Sequence, residues 1–188
     1  MKKIVIICQF AGTPDNGMNY RPYYLAKHFI KNGYNTIIIA SGYHHHMRTI
    51  KNNTRHILKE NVDGIQYLWL PCREYRQDNM SQRIINYLEF FFRALFLNTK
   101  KHLEGSADII IGSSPSILSG LNGFYLAKKL KARFIFEVRD LWPLSIVEIK
   151  KINPKNILVR FLFFLEKYLY LKSDSIVTVM ANSIEYIG

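Results

Sequence analysis

The stretch Ile4-Val5-Ile6-Ile7-Cys8-Gln9-Phe10, followed by Ala11-Gly12-Thr13-Pro14-Asp15-Asn16-Gly17, decides the fold. An apolar run of this kind is what a parallel strand needs when helices cover both of its faces. Met1-Lys2-Lys3 ahead of it imitates a signal peptide, but the run is too short for an h-region and no small-residue cleavage site follows. It therefore reads as a first buried strand. Beyond the turn-rich segment, Tyr20 to Lys31 has helical spacing, with Tyr24, Leu25, Phe29 and Ile30 on one side. Asn32-Gly33 ends that helix, and Thr36 to Ala40 reads as a second buried strand. Together these pieces make a βαβ unit.

The same alternation continues outward from this unit. Residues 41–63 are polar and basic and read as loop, and Ile65 to Leu70 as a short strand. Ser81 to Leu103 reads as a helix and Asp108 to Ile111 as a strand ending in Gly112-Ser113-Ser114-Pro115. Ser114 is suited to cap the next helix, with Pro115 in its first turn, and that helix runs to Leu130. Gly120 and Gly123 within it predict close packing on the sheet. Phe134 to Val138 is the next strand, Ile157 to Leu171 a helix, and Ser175 to Met180 the last strand. The order predicts an α/β fold with a Rossmann-like, doubly wound parallel sheet, as one domain over residues 1–188. Asn182-Ser183-Ile184-Glu185 begins a further helix just before Gly188, so more protein is expected to follow.

Composition narrows the partners. The 188 residues carry 26 Lys+Arg against 14 Asp+Glu, a net charge of +12, and aromatic residues make up 14%. Such an excess speaks to an anionic membrane face, a phosphorylated substrate or nucleic acid, or to solubility alone. No helix-turn-helix, RRM or zinc-finger pattern supports nucleic acid. The two cysteines, Cys8 and Cys72, stand outside any CxxC or Cys/His spacing, which suits a reducing cytosol. His44-His45-His46 has no acidic or Cys companion, and three adjacent histidines on an extended loop converge poorly on one ion, so no metal is expected. No stretch reaches the roughly 20 apolar residues that span a bilayer.

In open α/β sheets ligands bind beyond the carboxyl ends of the strands. Three loops belong there: residues 11–21, 112–116 and 139–146. In the first, Gly12 and Gly17 fit neither a dinucleotide fingerprint nor a P-loop, which excludes NAD and ATP. What remains is a glycine-containing turn into a helix, with Arg21 just inside it. It is either a plain turn or a place where backbone N–H groups meet phosphate or sugar oxygens. The second loop offers the hydroxyls of Ser113 and Ser114, as caps or as ligands. The third, Glu137-Val138-Arg139-Asp140-Leu141-Trp142-Pro143, is the strongest. A carboxylate just past a buried strand is costly unless paired or used. Asp140 with Arg139 is either a structural ion pair or a carboxylate that holds or deprotonates a hydroxyl. Arg139 stays protonated and can bind a phosphate but not act as a base. Trp142 suits stacking on a sugar ring, or packing.

Two helices are apolar nearly all round. Ile84 to Leu97 is interrupted only by Glu89 and Arg93 after Asn86, and Ile157 to Leu171 carries Phe161, Phe163, Phe164, Tyr168 and Tyr170. Either they are buried in the core or against a partner domain, or they lie in a membrane interface. In the second case Lys100, Lys101, Lys128, Lys129, Lys150, Lys151 and Lys155 would supply the attraction to headgroups.

Two motifs resemble one family. Gly17-Met18-Asn19-Tyr20-Arg21-Pro22-Tyr23-Tyr24-Leu25-Ala26-Lys27 is similar to the first loop and helix of family 4 glycosyltransferases, notably the WbuB-like bacterial aminosugar transferases. Phe136-Glu137-Val138-Arg139-Asp140-Leu141-Trp142-Pro143-Leu144-Ser145 looks like the same branch. Asp63-Gly64-Ile65 and Ala107-Asp108-Ile109-Ile110-Ile111-Gly112-Ser113-Ser114 agree in order. The resemblance implies half of a GT-B enzyme, in which this N-terminal domain binds the acceptor and a C-terminal domain, absent here, binds the nucleotide-sugar donor. It implies transfer with retention and without metal or other cofactor. The acceptor would be a polyprenyl-diphosphate-linked saccharide at the cytoplasmic face of a bacterial membrane, for O-antigen, capsule or exopolysaccharide. Gly17 matches the loop glycine that approaches the donor phosphates, and Asp140 the acidic or polar position of the acceptor loop. Many relatives carry His where this chain has Arg139, so a His role does not transfer. The expected site is Asp140 as catalytic residue, with Gly17, Arg21, Ser113, Ser114, Arg139 and Trp142 binding substrate. Without the donor half and its paired glutamates the chain is expected not to transfer sugar alone. The alternative is a non-catalytic subunit that recruits a separate donor-binding chain to the membrane.

Overall fold

The computed structural model describes residues 1–51 and 56–187. In chain order the elements are β1 (Lys3–Ile7), α1 (Arg21–Lys31), β2 (Asn35–Ser41), β3 (Leu58–Val62), β4 (Ile65–Leu70), α2 (Met80–Leu95) and α3 (Thr99–Leu103). There follow β5 (Ile109–Ser113), α4 (Ile117–Leu130), β6 (Arg133–Val138), α5 (Leu144–Lys150), α6 (Ile157–Lys172), β7 (Ser175–Thr178), a 3₁₀ turn (Ala181–Ser183) and α7 (Ile184–Ile187). The strands form one seven-stranded sheet in the order β3-β4-β2-β1-β5-β6-β7. All pairings are parallel except β3 with β4. This is the α/β, mostly parallel, doubly wound sheet that the alternation predicts. The order reverses between β1, which leads to β2 on one side, and β5 on the other.

β1 is buried along its whole length, as its unbroken apolar run requires. One face of the sheet packs on α2, α4 and α6, through residues such as Phe90, Leu121, Phe124, Phe136 and Leu169. The other packs on α1 through Tyr23 and Ala26. The glycines of α4 make its layer close. A Cβ on Gly120 would lie 2.7 Å from Phe136 and Leu169, and one on Gly123 2.9 Å from the Gly112 backbone.

The structure departs from the sequence reading at several elements. Residues 58–62 are not loop but an antiparallel edge strand, joined to β4 through Asp63-Gly64 with Val62 opposite Ile65. Asp63 and Gly64 both have positive φ, the two-residue turn that hairpin twist favours. Residues 52–55 of the expected loop lie outside the described residues. The helix expected over 81–103 is two helices, because Asn98 accepts a hydrogen bond from the Lys101 amide and so caps a new one. α4 starts at Ile117 rather than Pro115, and Ser114 serves a neighbouring loop instead of a helix end. A short helix, α5, occupies part of the expected loop 139–146. β7 ends at Thr178, two residues short of Met180. α1 buries Pro22, Tyr23 and Ala26, whereas Tyr24 faces solvent.

Candidate functional site at the carboxyl edge of the sheet

The carboxyl ends of β1, β5 and β6 bring most of the expected residues together at the point where the strand order reverses. Along β6 the odd and even residues separate. Phe134, Phe136 and Val138 enter the core under α4, while Ile135 packs with the α1 face. Strand alternation therefore directs Glu137 toward the α1 side as well, and Arg139, one residue past the strand, turns the same way to Asn19 and Cys8. α1 begins there with Arg21, whose Nε donates to Glu137 Oε1 at 2.7 Å. The Glu137 side chain is 2% exposed and that of Arg21 42%. Ser113, the last residue of β5, donates to the other carboxylate oxygen at 2.6 Å. The Glu137 carboxylate is thus held in a buried position by one cation and one hydroxyl, and the Arg21 side chain stays partly open to solvent.

Arg139 reaches across the switch point to the β1–α1 loop. Its Nη2 donates to Asn19 Oδ1 at 2.6 Å, and Nη1 lies 3.9 Å from Cys8 Sγ. Burial pushes the Cys8 thiol up, against the pull of the Arg139 charge. Ser114 Oγ accepts the backbone N–H groups of Arg139 (2.7 Å) and Asp140 (3.3 Å), which fixes the turn after β6. Asp140 accepts from Ser145 Oγ at 2.5 Å on Oδ1. Arg139 and Asp140 are not an ion pair. The ion pair of this site is Arg21 with Glu137, because Arg139 is drawn to Asn19 and Asp140 to Ser145. Trp142 is half-buried against the α4-side core.

The loop over residues 11–19 is clamped from the other side by the segment after β2. Gly17 bridges Met47, the Arg48 amide donates to Asn16 O at 3.0 Å, and the Thr49 amide to Asn16 Oδ1 at 2.7 Å. Gly17 has φ +104 and is buried, and a Cβ there would lie 2.1 Å from the His46 carbonyl oxygen. Its lack of a side chain thus serves loop-on-loop packing. His44 contributes to the same clamp, with Nε2 at 3.3 Å from the Ala11 carbonyl and Nδ1 accepting the His46 amide at 3.4 Å. Burial pushes the His44 imidazole down to about 4, so it is neutral at pH 7. His45 is lowered by burial, with His46 and Arg83 adding to the effect, and its Nδ1 meets Tyr75 Oη at 2.7 Å. His44 and His45 thus serve separate partners, and the His46 ring packs on that of His45 at 3.9 Å between centres. Among the described residues no group of three His, Cys, Asp or Glu side chains is placed to hold a metal ion.

Glu137, Asn19, Ser145 and His44 are the residues that sequence reasoning left without a role in this region. Chemically, the edge offers one half-exposed guanidinium, a second that braces two loops, a carboxylate oriented by a hydroxyl, and backbone fixed by serines. A guanidinium with exposed donors has the chemistry to bind an anionic group, and an oriented carboxylate that to accept from a hydroxyl.

No family model and no curated protein matches the chain. Among solved structures it is similar to the catalytic domain of starch synthase IV from Arabidopsis thaliana bound to ADP and acarbose, at 15% identity and a TM-score of 0.49. The match covers 74% of this chain and 34% of that one, so the chain spans about a third of the length of that protein.

Proposed function

We propose that this domain is the acceptor-binding half of a retaining GT-B glycosyltransferase of the WbuB-like family 4 branch. The acceptor is a polyprenyl-diphosphate-linked saccharide in bacterial surface polysaccharide synthesis, met at the inner face of the plasma membrane. The donor is a nucleotide sugar held by a C-terminal domain. The observation that carries this reading is the convergence of Arg21, Arg139 and Asp140 at the carboxyl ends of β1 and β6, in the two segments that bear the family resemblance. In it, Arg21 meets a phosphate with the part of its guanidinium that Glu137 leaves open. Asp140, oriented by Ser145, holds the acceptor hydroxyl. Arg139 fixes the β1–α1 loop against the β6 turn, so that the phosphate and hydroxyl positions stay at a constant separation. Trp142 borders the sugar.

The first test is binding of a short-chain prenyl-diphosphate-linked saccharide to the 188-residue chain in detergent micelles, followed by titration calorimetry. Saturable binding that Arg21→Ala weakens about tenfold or more is expected. Absence of binding, or an Arg21→Ala protein that binds as well as the parent, would sink the assignment. In a protein that includes the donor half, Asp140→Asn is expected to lower turnover by roughly 100-fold. Near-normal turnover with a folded protein would reduce Asp140 to a structural role.

A further inference from the structure

Helices α2, α4 and α6 form a single layer on one face of the sheet, with α4 packed between the other two. A layer of this kind normally shows water a polar outer side. Here the outer side keeps Leu88, Phe92 and Phe96 of α2, Tyr125 of α4, and Phe161 and Phe164 of α6 exposed by 42–77%. Between these side chains stand the exposed cations Arg93, Lys128, Lys129, Arg160, Lys167 and Lys172. The acidic residues of the three helices are Glu89 and Glu166, and neither offers free negative charge. Glu166 is buried under the hydroxyls of Tyr170 (2.7 Å) and Tyr186 (2.8 Å), and Glu89 is paired with Arg73 at 2.7 Å. Two lysines of the layer already lean on aromatic rings. Lys128 Nζ lies 4.9 Å from the centre of Phe124, and Lys172 Nζ 6.0 Å from that of Tyr168. Long stems along apolar surface with charged heads at its edge are the arrangement of an interfacial side chain.

We propose that the outer face of the α2–α4–α6 layer lies flat on an anionic phospholipid bilayer, with its rings at the acyl boundary and its lysines and arginines among the headgroups. The match is one of chemistry: apolar area plus positive charge without accessible acid is what such a surface attracts. A second copy of the chain is a poorer occupant, because the three helices that form this face carry six exposed cations and, as acids, only the buried Glu166 and the paired Glu89. Contact in the plane is also what the lengths allow. α2 and α6 have 16 residues each, and among the described residues no helix is long and apolar enough to cross a membrane. The layer is tied to the candidate site. Asn86 of α2 accepts from Gln9, at the end of β1, at 3.1 Å, and the segment between β4 and α2 runs from the carboxyl edge of the sheet. Docking the layer therefore brings that edge beside the headgroups, where the diphosphate of a lipid-linked acceptor lies. The proposal rests on the acceptor reading above for its purpose, but not for its test.

The test is co-sedimentation of the full chain with vesicles of equal parts phosphatidylglycerol and phosphatidylcholine, against vesicles of phosphatidylcholine alone. Partition onto the anionic vesicles is expected to be about tenfold or more stronger, and to weaken as salt rises from about 0.1 M to about 0.5 M. Phe92→Asp with Phe164→Asp, and separately Lys128→Glu with Lys129→Glu, are each expected to reduce it about tenfold or more. Unchanged far-ultraviolet circular dichroism checks that the variants fold. Lys31→Glu makes the same kind of charge change on α1, across the sheet, and is expected to leave binding nearly intact. Failure to sediment with anionic vesicles would overturn the proposal. So would a Lys31→Glu loss equal to that of the layer variants, or a dimer in light scattering that Phe92→Asp dissolves. The micelle assay contains no bilayer. Acceptor binding in micelles without vesicle binding removes this inference alone, and vesicle binding without acceptor binding removes only the acceptor reading.

Discussion

The Arg21–Glu137 pair makes an asymmetric prediction, because its two halves are buried so differently. Removing the cation by Arg21→Ala leaves a carboxylate 2% exposed, with Ser113 as its remaining partner at 2.6 Å. A buried charge left without its counter-ion costs 3–5 kcal/mol, and the proximity of this pair to solvent places the expected loss near the lower end, about 3 kcal/mol. Removing the anion by Glu137→Gln is different. Arg21 is 42% exposed and can turn into water, and the glutamine oxygen still accepts from Ser113. The loss is then about 1 kcal/mol, that of one charge-assisted hydrogen bond near the surface. The double variant has no stranded charge and should recover about half or more of what Arg21→Ala loses. Urea denaturation followed by circular dichroism reads all four proteins. A difference of about 2 kcal/mol between the single variants corresponds to roughly 4–8 °C in Tm for a domain of this size. If Glu137→Gln proved as costly as Arg21→Ala, or the double variant showed no recovery, Glu137 would not be the buried, cation-dependent anion described here.

Two further predictions concern the loop clamp. His44 is held at about 4 against an ordinary 6.5, so the folded state resists a proton that the unfolded chain accepts. Its contribution is fully present above pH 6.5 and is lost as pH falls toward 4, with about 2 kcal/mol gone between pH 7 and pH 5. His44→Gln should flatten that part of the stability profile in urea titrations at several pH values, and an identical profile in both proteins would contradict the assignment. Gly17→Ala must place a Cβ 2.1 Å from the His46 carbonyl oxygen at φ +104, whereas Gly33→Ala, at φ +81, meets nothing within 4 Å. The first should cost at least about 2 kcal/mol and the second about 1 kcal/mol, so equal midpoints in thermal melts would show that the loops do not pack as described.

Much of the fold was legible because parallel strands buried on both faces advertise themselves, as β1 and β2 do. The edge strand β3 was not, since Leu58-Lys59-Glu60-Asn61-Val62 is half-exposed and carries no apolar run. The signal that could have found it was local: Asp63-Gly64 directly before Ile65 is a hairpin turn. The break between α2 and α3 was hidden in the same way, because the apolar spacing continues through Leu97 and only the cap at Asn98 marks it. The two apolar helices left core and interface open from sequence, and the core reading holds for one side of each. Phe90 and Leu169 enter the core while Phe92 and Phe164 remain outside it.

The site shows why its partners were harder to read than its residues. Arg139 and Asp140 are neighbours in sequence, and adjacency invites an ion pair. Both lie in the bend just past β6, however, where Ser114 fixes the backbone and the two side chains turn to different partners. Within β6 itself Glu137 shares a face with Ile135, and the element that covers that face near β1 is α1, which begins with Arg21. Glu137 and Arg21 thus meet although they are 116 positions apart, because α1 covers the face toward which Glu137 points. Arg139, just past the strand, points back across β1, where the turn residue Asn19 and the buried Cys8 are the groups within reach. Each basic residue of the edge is therefore held by a partner on another strand or loop, and Asp140, held by Ser145 five residues on, is the one charged group of the site fixed from within its own turn. In the acceptor reading proposed above, the guanidinium of Arg21, braced from across the sheet edge, would meet phosphate, that of Arg139 would hold the loop, and the carboxylate, oriented from α5, would meet the hydroxyl.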